Sequence, residues 1–159
     1  ITYNAAISAC EKGKQPERAL QLFDEMQQLG LTPDVITYNT AISACEKGGQ
    51  LQRALGLRLE MQVRGLPPNV ITYNALIGAC EKGKVPDRAL QLLEEMQQQV
   101  LDPDVITYNA AMGACEKGQR PAQALSLFLE MQRRGILPDL ITYNVAVCAC
   151  ERGKEPEEA

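Results

Sequence analysis

The chain contains no histidine and no tryptophan, and its acidic side chains outnumber the basic ones, 20 to 16. Without histidine, without a nucleophile beside a base and without a cluster of metal ligands, the sequence offers no machinery for catalysis. The net charge of −4 argues against indiscriminate binding to polyanions, because that affinity comes from lysine and arginine neutralising phosphates. We therefore expect no enzyme, no cofactor, no metal site and no small-molecule substrate.

The sequence also lacks any apolar run long enough to cross a bilayer and any stretch that resembles a signal peptide. We expect no membrane partner. With 45% apolar residues, the composition is that of an ordinary folded chain rather than a disordered one.

What the sequence has in abundance is internal repetition. The tetrapeptide Ile-Thr-Tyr-Asn occurs five times at a constant step of 35 residues, and each copy is followed at the same offset by Ala-Cys-Glu. A fixed period in this range indicates a stacked array of repeats. The predicted boundaries are 1–35, 36–70, 71–105 and 106–140 for four full repeats, and 141–159 for a partial fifth.

Each repeat is predicted to be a pair of helices, A and B, because apolar residues recur at helical spacing in both halves. Pro16 suits the first turn of helix B, and Gly30 suits the left-handed residue that ends it. Asp34 precedes the next Ile-Thr-Tyr-Asn, where its carboxylate can cap the following helix A. The predicted core positions are Tyr3, Ile7, Cys10, Ala19, Phe23 and Met26 in the first repeat, together with the equivalents of Tyr3, Cys10 and Met26 in the later repeats.

Leu51 replaces the repeated proline of Pro16, and two further departures from the first repeat lead to structural expectations. Arg58 occupies the slot that holds Phe23, so we expect its guanidinium to extend outward or the second repeat to pack less well. Gln99 and Val100 end helix B of the third repeat where the other full repeats have glycine, which predicts a less regular turn.

The six cysteines are predicted to be reduced. Five occupy the same position in successive repeats, and equivalent positions on stacked helices lie roughly 8 to 10 Å apart, beyond the roughly 7 Å Cα separation that a disulfide spans. Cys148 and Cys150 form the one close pair in the sequence, and without histidine they make a poor set of metal ligands.

The first repeat reads ITYNAAISACEKGKQPERALQLFDEMQQLGLTPDV, and the later copies keep this pattern. The pattern resembles the pentatricopeptide repeat family, in particular its subclass made only of 35-residue repeats, and the resemblance covers the whole chain. The related tetratricopeptide pattern has a 34-residue period and a tryptophan landmark, which this chain lacks. The resemblance implies an all-α fold, a right-handed α-solenoid (superhelix) of antiparallel helix pairs with one row of helices on its concave side.

The resemblance also implies binding of single-stranded RNA, one base per repeat, with each base read by two or three side chains. The implied reading positions are the asparagine in the first turn of helix A and the last polar residue before the next repeat. In this chain the pairs are Asn4 with Asp34, Asn39 with Asn69, Asn74 with Asp104, and Asn109 with Asp139, while Asn144 stands without its partner.

The two kinds of pair differ in what they can offer a base. An ionised aspartate only accepts hydrogen bonds, which suits the N3–H of uracil, whereas Asn69 can also donate, which suits the unprotonated N3 of cytosine. The resemblance implies the same preferences and places the amino end of the chain toward the 5′ end of the RNA. The expected partner is therefore pyrimidine-rich single-stranded RNA containing 5′-U-C-U-U-3′ followed by a further pyrimidine.

Two further rows of residues are implied by the resemblance. The isoleucine that opens each repeat matches the position that sandwiches a base between neighbouring repeats, and these residues are Ile1, Ile36, Ile71, Ile106 and Ile141. The cation after each Ala-Cys-Glu matches a phosphate-contacting position, provided that the adjacent glutamate points away. This cation row consists of Lys12, Lys47, Lys82, Lys117 and Arg152.

Each row also has a purely structural interpretation. The residue that closes a repeat is a good helix cap, the isoleucine can staple the start of helix A, and a solvated charge is the default for a lysine in a turn. A second function also stays open, a helical-repeat scaffold that binds a protein or peptide without RNA contact. The net acidity and the lack of groove-lining aromatic residues favour it.

A third hypothesis is that the array addresses an enzymatic domain elsewhere in a longer protein. Because four complete repeats should give only modest affinity and selectivity, we expect a longer natural site that is read by a longer array. The resemblance also implies a role in organellar RNA processing, stability or translation, in a mitochondrion or a chloroplast.

Overall fold

The computed structural model describes residues 2–154, and every regular element in that range is an α-helix. The A helices carry odd numbers and the B helices even numbers, as the pairing of helices in each repeat predicts. They are α1 (Tyr3–Lys12), α2 (Pro16–Gln28), α3 (Val35–Lys47), α4 (Leu51–Val63), α5 (Val70–Lys82), α6 (Pro86–Gln98), α7 (Val105–Lys117), α8 (Pro121–Arg133) and α9 (Leu140–Arg152). No helix among the described residues has the length and apolar character of a membrane span.

The chain divides into two compact units, Ile1–Ala79 and Cys80–Ala159, and α5 runs through their boundary. In the first unit α1 packs against its partner α2 and against α3, and α3 packs against α4. In the second unit α7 packs against α8 and α9, and α8 also packs against α9. Within each unit, then, an A helix contacts both its own B helix and the next A helix.

The predicted caps at the repeat boundaries are confirmed. Asp34 Oδ1 accepts from the backbone N–H of Thr37 at 2.9 Å, and the Thr37 hydroxyl accepts from the backbone N–H of Asp34 at 3.3 Å. This reciprocal capping box satisfies N–H groups that the first turn of a helix leaves without partners. The same exchange joins Asn69 with Thr72, Asp104 with Thr107, and Asp139 with Thr142.

The predicted core is confirmed in the interior repeats. The ring of Phe23 meets that of Tyr38 edge-on, with centroids 5.4 Å apart. The fully buried side chains include Tyr38, Tyr73, Tyr108, Met61, Met96 and Met131. For Tyr143 and Cys150 the expectation of burial is wrong, because both are exposed in a fifth repeat whose described part contains helix A alone.

All six cysteines are free thiols. Burial raises the pKa of three interior thiols to about 11, and these belong to Cys45, Cys80 and Cys115. Within residues 2–154, no three potential metal ligands come together.

Both departures from the repeat pattern fit the fold in an unexpected way. Arg58 is only 7% exposed, and its guanidinium carbon lies 5.9 Å from the centre of the Tyr73 ring. The expectation that it extends outward is wrong, since a cation–π contact replaces the edge-on contact that Phe23 makes one repeat earlier. The expectation of a less regular turn is also wrong, because Val100 adopts a φ of +59°, close to the +74° of Gly30.

Candidate nucleic-acid interface

The structure brings predicted reading pairs together in both units. In each pair the asparagine Nδ2 approaches an oxygen of the residue that caps the next A helix. The distances are 3.5 Å from Asn4 to both carboxylate oxygens of Asp34, 3.1 Å from Asn39 to Asn69 Oδ1, and 3.0 Å from Asn109 to Asp139 Oδ1. Of the remaining positions, Asn74 lies in the first unit, Asp104 in the second, and Asn144 is exposed on α9.

A cleft of about 280 Å³ lies beside Asn39, the asparagine of the second reading pair, in the first unit. Asn39 lines it together with Ile36 and Ile71, the isoleucines that open the second and third repeats. Asn39 itself is only 8% exposed, whereas Ile36 is 68% exposed and Ile71 63%. Isoleucines this accessible are not packed into the core at the start of helix A. They place two apolar surfaces beside the buried amide of Asn39.

The same exposure extends along the isoleucine row. Ile106 is 60% exposed and Ile141 is 59% exposed. Ile1, the first member of the row, lies outside the described residues. The row therefore forms accessible apolar surface in each unit, as contact with a flat ligand requires.

A threonine joins each of these reading pairs, and the sequence patterns above did not single it out. The hydroxyl of the threonine in the next Ile-Thr-Tyr-Asn lies 2.6 Å from the asparagine Oδ1. This distance separates Thr37 from Asn4, Thr72 from Asn39, and Thr142 from Asn109. The signal that could have identified the threonine is its place in the last four copies, three residues after the cap residue where a capping box closes.

Two of the cap carboxylates are held in their ionised form. The side chain and backbone of Thr37 lower the pKa of Asp34 by hydrogen bonding, and the Thr142 backbone and Asn109 side chain likewise lower the pKa of Asp139. At neutral pH both residues only accept hydrogen bonds, whereas Asn69 places an amide at the same point of the second repeat. Repeats one and four therefore present a different chemistry from repeat two.

Three members of the cation row form ion pairs with the preceding repeat. The distances are 2.5 Å from Lys47 Nζ to Glu11 Oε1, 2.7 Å from Lys117 Nζ to Glu81 Oε1, and 2.9 Å from Arg152 Nη1 to Glu116 Oε1. Each of these glutamates therefore reaches the cation of the next A helix. Lys12 and Lys82 are exposed.

Small residues allow Glu11 and Glu81 to lie against the next A helix. The Ser43 hydroxyl donates to Glu11 Oε1 at 2.7 Å. At the equivalent position of a later repeat, a Cβ added to Gly113 would lie 2.6 Å from Glu81 Oε1, so glycine leaves the room that this carboxylate fills. Although burial opposes it, hydrogen bonds from Lys47 and Ser43 lower the pKa of Glu11. The ion pairs are therefore part of the packing between neighbouring A helices.

Comparison with known proteins relates the chain to a family. The profile of the PPR repeat family matches four overlapping windows, residues 1–47, 33–82, 68–117 and 103–152. No curated protein matches the chain.

Two solved structures illustrate the likeness. The pentatricopeptide repeat protein PPR10 in complex with an 18-nt psaJ RNA element is similar with a TM-score of 0.80 and 28% identity, over 98% of this chain and 24% of that one. The PPR domain of Arabidopsis thaliana protein-only RNase P 1 (PRORP1) in complex with tRNA is similar with a TM-score of 0.82 and 18% identity, over 94% of this chain and 79% of that one.

This chain thus spans about a quarter of the length of the PPR10 chain. The structural matches confirm the predicted fold class, an α-solenoid of antiparallel helix pairs. The family profile follows the 35-residue step through four successive windows that together span residues 1–152, and the chain belongs to the PPR repeat family.

Proposed function

We propose that this chain binds single-stranded RNA in a sequence-specific manner, one base per repeat, without catalysis in this stretch. The observation that carries the proposal is the second reading pair, where Asn39 is bonded to Asn69 and lines a cleft with Ile36 and Ile71. A flat base that enters this cleft meets apolar side chains along its faces and polar atoms at its edge. The proposed site is 5′-U-C-U-U-3′ followed by a further pyrimidine.

Capping and reading support each other in Asn69. Its Oδ1 accepts from the backbone N–H of Thr72 at 3.2 Å and from Asn39 Nδ2 at 3.1 Å. The helix end therefore holds the oxygen inward and leaves the amide nitrogen as the group available to a ligand. A donor at that point matches the N3 acceptor of cytosine, whereas the ionised Asp34 of the first repeat matches the N3–H of uracil.

The likeness to PPR10 supports RNA as the ligand. That protein, 28% identical over 98% of this chain, was solved in complex with an RNA element. Because this chain spans 24% of that one, the proposed natural site is longer than four bases and is read by a longer array. The proposed setting is the processing, stabilisation or translation of RNA in a mitochondrion or chloroplast.

The proposal is tested by titrating the chain with an RNA that contains UCUU and with an RNA in which these four bases are purines, at one fixed salt concentration. We expect tighter binding of the UCUU RNA. Equal affinity for the two RNAs would refute the coded reading. In an Asn39→Ala variant, we expect the preference to disappear at the second base and to persist at the first and fourth.

A peptide-binding scaffold is the second candidate function, and the ion pairs that occupy Lys47, Lys117 and Arg152 favour it. A salt series separates the two functions. Single-stranded RNA held through four or five phosphates should give an association constant that falls with a slope of roughly 3 on logarithmic axes. A shallow slope together with no preference for UCUU would favour the scaffold.

A further inference from the structure

The threonine hydroxyls beneath the reading pairs are almost completely buried. Thr72 and Thr142 are 0% exposed and Thr37 is 1% exposed. Each contacts the asparagine of the preceding repeat at 2.6 Å. Because a buried hydroxyl needs protein partners for its hydrogen bonds, its proton has a definite destination.

The partners of Thr72 show where that proton goes. Thr72 Oγ1 accepts from the backbone N–H of Asn69 at 3.0 Å. It also lies 2.6 Å from Asn39 Oδ1 and 3.1 Å from Asn69 Oδ1, and neither amide oxygen can donate. The single hydroxyl proton therefore belongs to the shorter contact, in which Thr72 donates to Asn39.

This hydrogen bond fixes the orientation of the Asn39 carboxamide. With its oxygen on the threonine, Asn39 Nδ2 donates one proton to Asn69 at 3.1 Å and retains a second N–H for a ligand. The reversed amide would set its oxygen against Asn69 Oδ1, so that two acceptors would face each other. In the first and fourth repeats the threonine hydroxyl also lies close to the cap carboxylate, 2.7 Å from Thr37 to Asp34 Oδ1 and 2.9 Å from Thr142 to Asp139 Oδ1, so the asparagine and the cap share its proton. In these repeats the reversed amide oxygen would face the carboxylate of Asp34 or Asp139, which costs more.

We propose that Thr37, Thr72 and Thr142 are positioning residues for RNA recognition, each holding the asparagine of the preceding repeat with an N–H toward the base. This inference rests on the proposed RNA-binding function. The outward N–H matches the O2 carbonyl, which uracil and cytosine share and adenine lacks. Each threonine thus belongs to one repeat in sequence and serves the base of the repeat before it.

Positioning and helix capping differ in the base that each would affect. Thr72 lies in the first turn of α5, the helix that carries Asn74 of the third repeat. A role confined to capping would lower the stability of the fold or disturb the third base. If Thr72 positions Asn39, its loss reduces discrimination at the second base, although Thr72 itself belongs to the third repeat.

The experiment measures base preference one position at a time. Thr72→Val removes the hydroxyl and keeps the shape of the side chain. The variant is titrated with UCUU RNA and with four RNAs that each carry one adenine in place of a pyrimidine. We expect it to lose about fivefold to tenfold of its discrimination at the second base, and to match the wild type at the other three.

Two further variants serve as matched controls. Thr72→Ser retains a hydroxyl and should restore the discrimination of the wild type at the second base. Thr142→Val should lose discrimination at the fourth base instead, because Thr142 contacts Asn109. A general loss of stability would not shift the loss of discrimination from the second base in Thr72→Val to the fourth base in Thr142→Val.

The outcomes separate this inference from the function on which it rests. A wild-type chain that fails to discriminate pyrimidine from adenine overturns the RNA proposal itself. A wild-type chain that discriminates, with a Thr72→Val variant that retains second-base discrimination or loses the third instead, overturns the threonine inference alone. If circular dichroism shows that Thr72→Val is unfolded, Thr142→Val makes the same comparison at the fourth base and decides the question.

Discussion

The asparagines of the reading pairs and the cation row lie on the same A helices, but they differ in whether their polar groups are available to a ligand. The reading groups are oriented, whereas three of the cations are held in ion pairs. The reading pairs are held by helix caps and buried threonines, so their donors and acceptors are oriented in advance. Lys47, Lys117 and Arg152 instead bond to glutamates of the preceding repeat, although their side chains are 41%, 43% and 54% exposed. In the proposed function, selectivity for a base would come from groups that are already oriented in the free protein, whereas binding of phosphate would compete with these ion pairs.

The largest expected change in RNA recognition comes from altering the chemistry of one reading pair. Asn69→Asp replaces the outward amide nitrogen by an acceptor, so the preference at the second base should change from cytosine to uracil. Because hydrogen bonds to charged groups are strong, we expect a change in relative affinity of roughly 10-fold to 100-fold. Competition between UCUU and UUUU RNAs measures it.

The reverse exchange in the first repeat is the matched control for that change. Asp34→Asn should move the preference at the first base from uracil toward cytosine and leave the second base unchanged. If Asn69→Asp still prefers cytosine at the second base, the cap residue does not read the base.

A substitution away from both rows should change stability without changing recognition. Val100 holds a φ of +59° with 88% of the residue exposed. A left-handed conformation costs an L-residue roughly 1–2 kcal/mol, and the flexibility of glycine in the unfolded chain offsets part of this. Val100→Gly should therefore raise the free energy of unfolding by about 1 kcal/mol, as measured by denaturant titration.

The equivalent turn of the fourth repeat provides the control for Val100→Gly. Gly135 has a φ of +75° with nothing within 4 Å of an added Cβ, so Gly135→Val tests the backbone alone and should lower stability. If Val100→Gly also lowers stability, strain at Val100 is not the cause.

Releasing one member of the cation row from its ion pair should change RNA affinity by a smaller amount. Glu81→Gln removes the charge that holds Lys117, and a partly exposed ion pair of this kind is worth less than about 1 kcal/mol. We expect RNA affinity to rise about twofold to threefold and the salt dependence to steepen. Binding titrations at several salt concentrations measure both effects.

An exposed glutamate on the neighbouring B helix controls for net charge. Glu94→Gln makes the same charge change on α6, outside the cation row. If the two variants raise RNA affinity equally, the effect is one of overall charge and the ion pair does not restrain Lys117.

The smallest expected effect is a pH dependence of stability that comes from Tyr38 in the core. Burial and a hydrogen bond to Glu60 at 2.8 Å raise the pKa of Tyr38 to about 12, from an ordinary value of 10. The unfolded chain releases this proton first, so the stability that the phenol contributes is complete below pH 10 and is lost as the pH rises toward 12.

Unfolding measured between pH 9 and pH 12 tests this dependence. Tyr38→Phe should lose less stability than the wild type as the pH rises through that window. Tyr143→Phe, which removes an exposed phenol, is the control. Identical profiles for the wild type and Tyr38→Phe would contradict the account of Tyr38.

Much of the fold follows from the sequence because its determinants are local. The 35-residue step, Pro16 at the start of a helix and Asp34 before the next one specify the helix pairs and their caps without knowledge of the packing. The ion pairs do not follow from the sequence, since Glu11 reaches Lys47 only when neighbouring A helices approach at the distance that the small residue Ser43 permits.

The expectations that failed at Arg58 and Val100 share a cause, which is that the surrounding repeats override local preference. Arg58 stays inside because the Tyr73 ring of the next repeat offers its guanidinium a face. Val100 keeps the turn of its neighbours because its N–H still donates to Gln97 O at 3.0 Å, as the turn requires. The role of Thr37, Thr72 and Thr142 could not be predicted for a related reason. Each contacts the asparagine of the preceding repeat, and this contact forms only when the repeats pack together.

The most direct test of one base per repeat is to select RNAs with this chain from a pool of random sequence. We expect enrichment of a contiguous U-C-U-U, with a pyrimidine after it. Enriched RNAs that share no four-base register, or that carry purines at these positions, would contradict it.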